Sequence, residues 1–169
     1  MTSLRRLLSP EPAGIEVELR TEPARTVAAI SGHVRSAGVP GWFDAAVAEL
    51  DAAFGPAERT GPHGGRYANE LFTDGAGAMT VFRPVREPRA SGRIEVVELP
   101  AADVAVTVHT GPHDDIQVTY GRLGAWVVTH ALGVAGPVHE TYLPGAGEQR
   151  TEIGWPVFKV VREVVGGVT

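Results

Sequence analysis

The chain has 169 residues, of which 43% are hydrophobic and 21% are charged, and this is the balance of a folded globular protein. Its formal net charge is −5 and its basic residues are scattered, so composition does not favour direct binding to nucleic acid or to an anionic membrane. No segment approaches the roughly 20 apolar residues of a membrane helix. The absence of cysteine excludes disulfides and thiol chemistry, and it fits the cytoplasmic location that we expect.

In chain order, residues 1–13 are expected to form an irregular N-terminal arm, and residues 14–169 a single domain. The first patterned segment begins with Ile15-Glu16-Val17, and the same tripeptide returns as Ile94-Glu95-Val96. Both copies are followed by a second run typical of a β-strand, which ends at Gly32 in the first copy and at Gly111 in the second. The sequence therefore predicts two repeats, at about 14–90 and 91–165.

A helix follows the paired strands in each repeat. Apolar residues at helical spacing predict the first helix between Phe43 and Phe54, where Gly55-Pro56 ends it. The same spacing predicts the second helix between Ile116 and Ala131. Asp114 is a plausible N-cap for this second helix.

Two strands close each repeat, RYANELF and GAGAMTVFRPV in the first and GPVHETYLPG and QRTEIGWPVFKV in the second. Each repeat then reads β-β-α-β-β. Two such halves can pair their sheets about a pseudo-two-fold axis, with a central cleft between them for a ligand. The expected fold class is α+β.

Two glutamates are the candidate acids of this cleft. Within a strand, Glu140 shares a face with Tyr142, and the match between the repeats places Glu70 and Phe72 in the same relation. A buried carboxylate has a raised pKa and can pair with a cationic ligand or act as a general base. The alternative, that this face meets solvent, stays open. Glu152 fits a cross-strand partner for an arginine better than a second pocket acid.

Aromatic side chains fall at matching places in the two repeats and are candidate walls for a planar or cationic ligand, through stacking and cation–π attraction. Simple core packing is the alternative for more than half of them. The candidates are Trp42, Tyr67, Phe72, Phe82, Tyr120, Trp126, Tyr142 and Trp155.

No metal and no cofactor are expected. His109 and His113 are separated by Gly111-Pro112 and do not share a helix face, and no HExxH pattern is present. Nucleophile-elbow and Walker-type motifs are also missing from the sequence.

The VHTGPH turn, the helix with Tyr120 and Trp126, the VHETYL strand and the terminal TEIGWPV together resemble the GyrI-like small-molecule-binding family over about residues 14–163. That family includes the effector-binding domains of multidrug-responsive transcription activators and free-standing proteins. The resemblance implies that Glu140 sits in the cleft and engages hydrophobic cations, with Tyr142 and Trp155 as walls. No DNA-binding module is expected in this chain, and in this respect it departs from the pattern of the transcription activators.

Three functions follow from the resemblance. The first is binding of hydrophobic, planar or cationic xenobiotics. The second is hydrolysis of strained, cyclopropane-containing DNA-alkylating compounds, with Glu140 activating water and Tyr142 or another tyrosine bonding the substrate. The third is inhibition of a topoisomerase by protein contact. The expected partner is a small molecule, and the chain is expected to be a monomer or a homodimer.

Overall fold

The computed structural model describes residues 15–160. The predicted arm at 1–13 and the end of the second predicted repeat lie outside this range. Within it the architecture is α+β, as the sequence predicted. No helix in the described range is long and apolar enough to cross a membrane.

Residues 15–160 form nine strands and three helices. The strands are β1 (Glu18–Glu22), β2 (Arg25–Arg35), β3 (Gly64–Tyr67), β4 (Ala76–Arg83), β5 (Glu95–Leu99), β6 (Ala102–Thr110), β7 (Leu132–Val134), β8 (Val138–Leu143) and β9 (Arg150–Lys159). The helices are α1 (Val39–Ala53), the short α2 (Glu70–Thr73) and α3 (Ile116–Thr129), with 3₁₀ turns at Ser36–Gly38, Pro56–Glu58 and His113–Asp115.

The strands form one antiparallel sheet in the order β1-β6-β9-β8-β3-β4-β2-β5, and β7 adds to β9. The two halves correspond strand by strand, with β1, β2, β3 and β4 matching β5, β6, β8 and β9 in that order. When each strand is replaced by its match, the strand order of the sheet reads the same in reverse. The topology therefore has an approximate two-fold relation. The central pair is β3 and β8, where Gly65 lies opposite Glu140 and Tyr67 opposite Val138. A duplication of the sequence stays a prediction.

The predicted strand RYANELF, residues 66–72, is wrong after Tyr67. Strand β3 ends at Tyr67, and Glu70 and Phe72 lie on α2 instead. Leu71 is buried, while Gly75 adopts a left-handed φ of 76° and returns the chain to β4. Turn-forming residues thus interrupt the alternation, and the Glu-x-aromatic strand exists in the second half only.

The helix predictions hold in position, with small differences at the ends. Helix α1 ends before Gly55-Pro56, as expected, because proline cannot continue it. Helix α3 begins after a 3₁₀ turn, and its N-cap position is Asp115 rather than Asp114, without a side-chain capping bond.

The main core lies between the helices and one face of the sheet. Leu50 and Phe54 from the first half and Leu123 and Val127 from the second are buried there. A smaller cluster on the opposite face contains Val27, Ala29, Phe82 and Leu99. On that opposite face, Arg20 Nη1 lies 3.2 Å from Glu152 Oε1, which confirms the cross-strand ion pair that the sequence predicted. Because the main core packs against the other face, helices α1 and α3 occupy one side of the sheet, and the space between them becomes the cleft.

Candidate functional site

A cavity of about 1470 Å³ opens between α1, α3 and the central strands. Ligand pockets usually hold about 300–1,000 Å³, so this one accepts a large molecule. Its lining is mostly apolar and comes from both halves of the chain. It includes Val39, Pro40, Phe43 and Val47 from α1, Gln117, Tyr120, Gly121 and Gly124 from α3, and Tyr67, Val138, Glu140, Tyr142 and Trp155 from the strands.

Glu140 lies in the middle of β8 and is only 8% exposed. The Tyr120 hydroxyl donates to Glu140 Oε2 at 2.5 Å, and the Tyr142 hydroxyl donates to Oε1 at 3.3 Å. The hydroxyls of Tyr67 and Tyr142 are 2.5 Å apart. Three phenols thus connect to one carboxylate, and each comes from a different element of the fold.

Burial raises the pKa of Glu140, although hydrogen bonds from Tyr120 and Tyr142 and the nearby His113 oppose the shift. Burial also raises the pKa values of the three tyrosines, and the charge of Glu140 adds to this effect. The phenols therefore stay protonated and remain hydrogen-bond donors. The carboxylate is a stronger base than one in water.

Local sequence explains how this cluster assembles. Alternation along β8 puts Val138, Glu140 and Tyr142 on one face, as predicted, and this face lines the cleft. Opposite Glu140, a side chain at Gly65 would place its Cβ 2.6 Å from the Tyr67 hydroxyl. Glycine there leaves the space through which Tyr67 reaches Tyr142.

Aromatic rings form the walls of the cavity. Phe43 contacts Tyr142 edge-on at 5.1 Å between ring centroids, and Tyr120 contacts Trp155 edge-on at 6.4 Å. Phe72 is 58% exposed and lies 5.8 Å from Tyr120. Trp155 Nε1 is buried and has no hydrogen-bond partner within residues 15–160.

Two histidines at the cavity were not predicted as ligand-binding residues. His113 Nε2 lies 3.8 Å from Glu140 Oε1 and 3.1 Å from Thr151 Oγ1. His63 Nε2 lies 3.0 Å from Asp51 Oδ1. The VHTGPH turn was noted in the sequence, but no local pattern signals that its last residue approaches a glutamate on β8. No group of three or more possible metal ligands lies together in the described part of the chain.

Four predicted site residues do not line the cavity. Trp126 is 5% exposed in the core and stacks on His130. Trp42 packs over Gly32, and Phe82 belongs to the cluster on the opposite sheet face.

The fourth, Glu70, is exposed on α2. These four side chains lie outside the cavity because the type of element, the rotation of a helix and the face of a strand set a side chain's direction, and residue type alone does not.

A buried acid among phenols and aromatic walls, in a large apolar cleft of an antiparallel sheet, defines a small-molecule-binding domain. The family model described as the GyrI-like small molecule binding domain matches residues 15–157. This chain belongs to that family, which confirms the resemblance found in the sequence.

Solved structures agree on the fold. The EcmrR C-terminal domain is similar with a TM-score of 0.75 and 20% identity, over 86% of this chain and 99% of that one. SAV2435 bound to tetraphenylphosphonium is similar with a TM-score of 0.62 and 17% identity, over 85% of this chain and 94% of that one. A hydrolase from Listeria innocua has a TM-score of 0.59 and 14% identity, over 92% and 97%. No curated protein sequence matches the chain significantly.

Proposed function

We propose that this protein binds hydrophobic cations, planar aromatic ones included, in the cleft, with Glu140 as the counter-charge. The observation that carries the proposal is the burial of Glu140 at the base of an apolar cavity. Within residues 15–160 its hydrogen-bond donors are the neutral phenols of Tyr120 and Tyr142, and the imidazole of His113, 3.8 Å away, is a cation only when it is protonated. A buried carboxylate without a cationic partner is costly, and a cation supplied by the ligand offsets that cost.

The aromatic walls support the same ligand class. The cavity is lined by aromatic residues, and cations are attracted to aromatic faces. They include Phe43, Tyr120, Tyr142 and Trp155. The volume of about 1470 Å³ suits a bulky molecule. SAV2435, a structural neighbour, was solved with tetraphenylphosphonium, a cation of this kind.

Titration with tetraphenylphosphonium, followed by tryptophan fluorescence, tests the proposal. Trp155 lines the cavity, whereas Trp42 and Trp126 lie outside it. We expect a saturable change in emission that is lost in Trp155→Phe and is much weaker with uncharged triphenylphosphine oxide. If the wild-type protein shows no saturation with several hydrophobic cations, the proposal is wrong.

A second candidate, hydrolysis, is favoured by the bonds between Glu140 and the phenols. The carboxylate has a raised pKa and could accept a proton from water, and Tyr120 or Tyr142, once its hydroxyl turns away from Glu140, donates to the substrate. The substrate class implied by the family resemblance is a strained, cyclopropane-containing alkylating compound.

Glu140→Gln separates hydrolysis from binding alone. A general base contributes on the order of 10²–10⁴ in rate, so this variant should bind the substrate and lose turnover by about that factor. Full activity in Glu140→Gln would remove the base assignment. Topoisomerase inhibition stays a prediction, since no feature of the cleft bears on it.

A further inference from the structure

His113 lies beside the acid of the cleft and is also open to solvent. It belongs to the 3₁₀ turn before α3 and lines the same cavity as Glu140. Its Nε2 lies 3.8 Å from Glu140 Oε1, and its ring meets the Tyr142 ring edge-on, with 5.9 Å between the centroids. The His113 side chain is 42% exposed, while Glu140 is buried. Protons from solvent therefore reach an imidazole that adjoins the buried carboxylate.

The hydrogen bonds of His113 suit both of its protonation states. Thr151 Oγ1, which is buried, lies 3.1 Å from Nε2 and can accept a hydrogen bond from an N–H there. The Gln149 amide lies 3.2 Å from Nδ1. Gln149 is exposed, and its amide can present its NH₂ group to a neutral ring or its oxygen to a protonated one. The ring can thus gain a proton without losing either bond.

Glu140 is the acid that pairs with this imidazole. The titratable groups on the turn and on the neighbouring strands are His109, Asp114, Asp115, Glu140, Tyr142 and Arg150. In residues 15–160, Glu140 provides the carboxylate oxygen within 4 Å of a His113 ring nitrogen, whereas Asp115 lies 3.2 Å from His109 Nε2. Asp114 and Arg150 are exposed, where solvent and salt screen their charges. Tyr142 stays protonated because burial raises its pKa. A proton on His113 therefore acts mainly on Glu140.

His113 and a ligand cation would both act on the Glu140 carboxylate. A cation bound at Glu140 meets His113 as well, because both side chains line one cavity and their polar atoms lie 3.8 Å apart. When His113 is protonated, its positive charge offsets part of the attraction of Glu140 and repels the ligand, and charges interact strongly in a buried, apolar site. Imidazole commonly changes its charge between about pH 5 and 8.

We propose that protonated His113 competes with the ligand cation for Glu140, so that the cleft holds hydrophobic cations above neutral pH and releases them on mild acidification. This competition requires the cation binding proposed above and adds the regulation of that site. Protonation of Glu140 itself also weakens cation binding as the pH falls, because burial raises the pKa of this carboxyl. The contribution of His113 is therefore the part of the pH dependence that disappears when the imidazole is removed.

Titration with tetraphenylphosphonium at pH 8 and at pH 6, followed by Trp155 fluorescence, measures that part. His113→Gln keeps a polar side chain without a titratable group, and the control His33→Gln removes an exposed imidazole on β2, outside the cavity lining. Between pH 8 and pH 6, the wild type and His33→Gln should lose about three- to tenfold more affinity than His113→Gln, because only the fraction with neutral His113 binds tightly. Uncharged triphenylphosphine oxide should show no such difference between the wild type and His113→Gln.

The Glu140 carboxyl gives a second readout that needs no ligand. The charge of His113 opposes the burial that raises the pKa of Glu140, so removal of the imidazole should raise this pKa further. Carbon-13 NMR of the Glu140 carboxyl, titrated in the wild type and in His113→Gln, measures the difference. An unchanged pKa would show that no charge on His113 reaches Glu140, and it would overturn the proposal.

The ligand titrations separate failure of this competition from failure of cation binding. Absence of saturation at pH 8 would contradict cation binding itself, and the competition with it. Saturation at pH 8 followed by equal losses of affinity at pH 6 in the wild type and His113→Gln would overturn the role of His113 alone. An equal loss for triphenylphosphine oxide that depends on His113 would also overturn it, since a change in cavity shape would then explain the release.

Discussion

Replacement of Glu140 by glutamine removes a buried negative charge and keeps the shape of the side chain. At an effective dielectric constant of about 20 and a separation of about 5 Å, a carboxylate and a ligand cation attract by roughly 3 kcal/mol. Loss of hydration from both groups offsets part of this attraction. With Glu140 only 8% exposed, we expect the affinity for tetraphenylphosphonium to fall by roughly ten- to a hundredfold.

The assay is the fluorescence titration of Trp155 with tetraphenylphosphonium, repeated with triphenylphosphine oxide. Glu70→Gln is the matched control, because it makes the same charge change on α2, where the carboxylate does not line the cavity. The neutral compound should bind the Glu140→Gln variant and the wild type equally. Equal losses of cation affinity in Glu140→Gln and Glu70→Gln would refute the reasoning, and so would an equal loss for the neutral compound.

Two further predictions concern stability. Burial raises the pKa of Glu140, so the folded state binds a proton at this carboxyl more tightly than the unfolded state does. The free energy of unfolding therefore falls as the pH rises from the pKa of the unfolded state through the pKa of the folded state. Glu140→Gln should therefore be more stable than the wild type at neutral pH in thermal unfolding, and a variant that is equally or less stable would contradict this. Gly64→Ala should cost about 1–3 kcal/mol in denaturant unfolding, because Phe82 is buried against it. Gly133→Ala, whose added Cβ would meet the half-exposed Phe158, should cost clearly less, and equal costs would show that burial of the ring is not what matters.

Much of the fold was predictable because its signals are local. Apolar spacing located α1 and α3, and Gly55-Pro56 marked the end of α1. Alternation placed Glu140 and Tyr142 on one face of β8. Residues 68–72 were misassigned because a short alternating pattern also fits one helical turn, which there is stabilised by the burial of Leu71.

The sequence by itself determined that a carboxylate and an aromatic ring share one strand face, since that relation depends only on the two-residue period of a β-strand. Tertiary structure alone decided what meets them. Tyr67 reaches Tyr142 across 75 positions of chain, and Tyr120 reaches Glu140 across 20, because sheet pairing and helix packing bring distant segments together. The rotation of α3 directs Tyr120 into the cleft and Trp126 into the core. These choices depend on which faces pack together, and no local pattern contains that information.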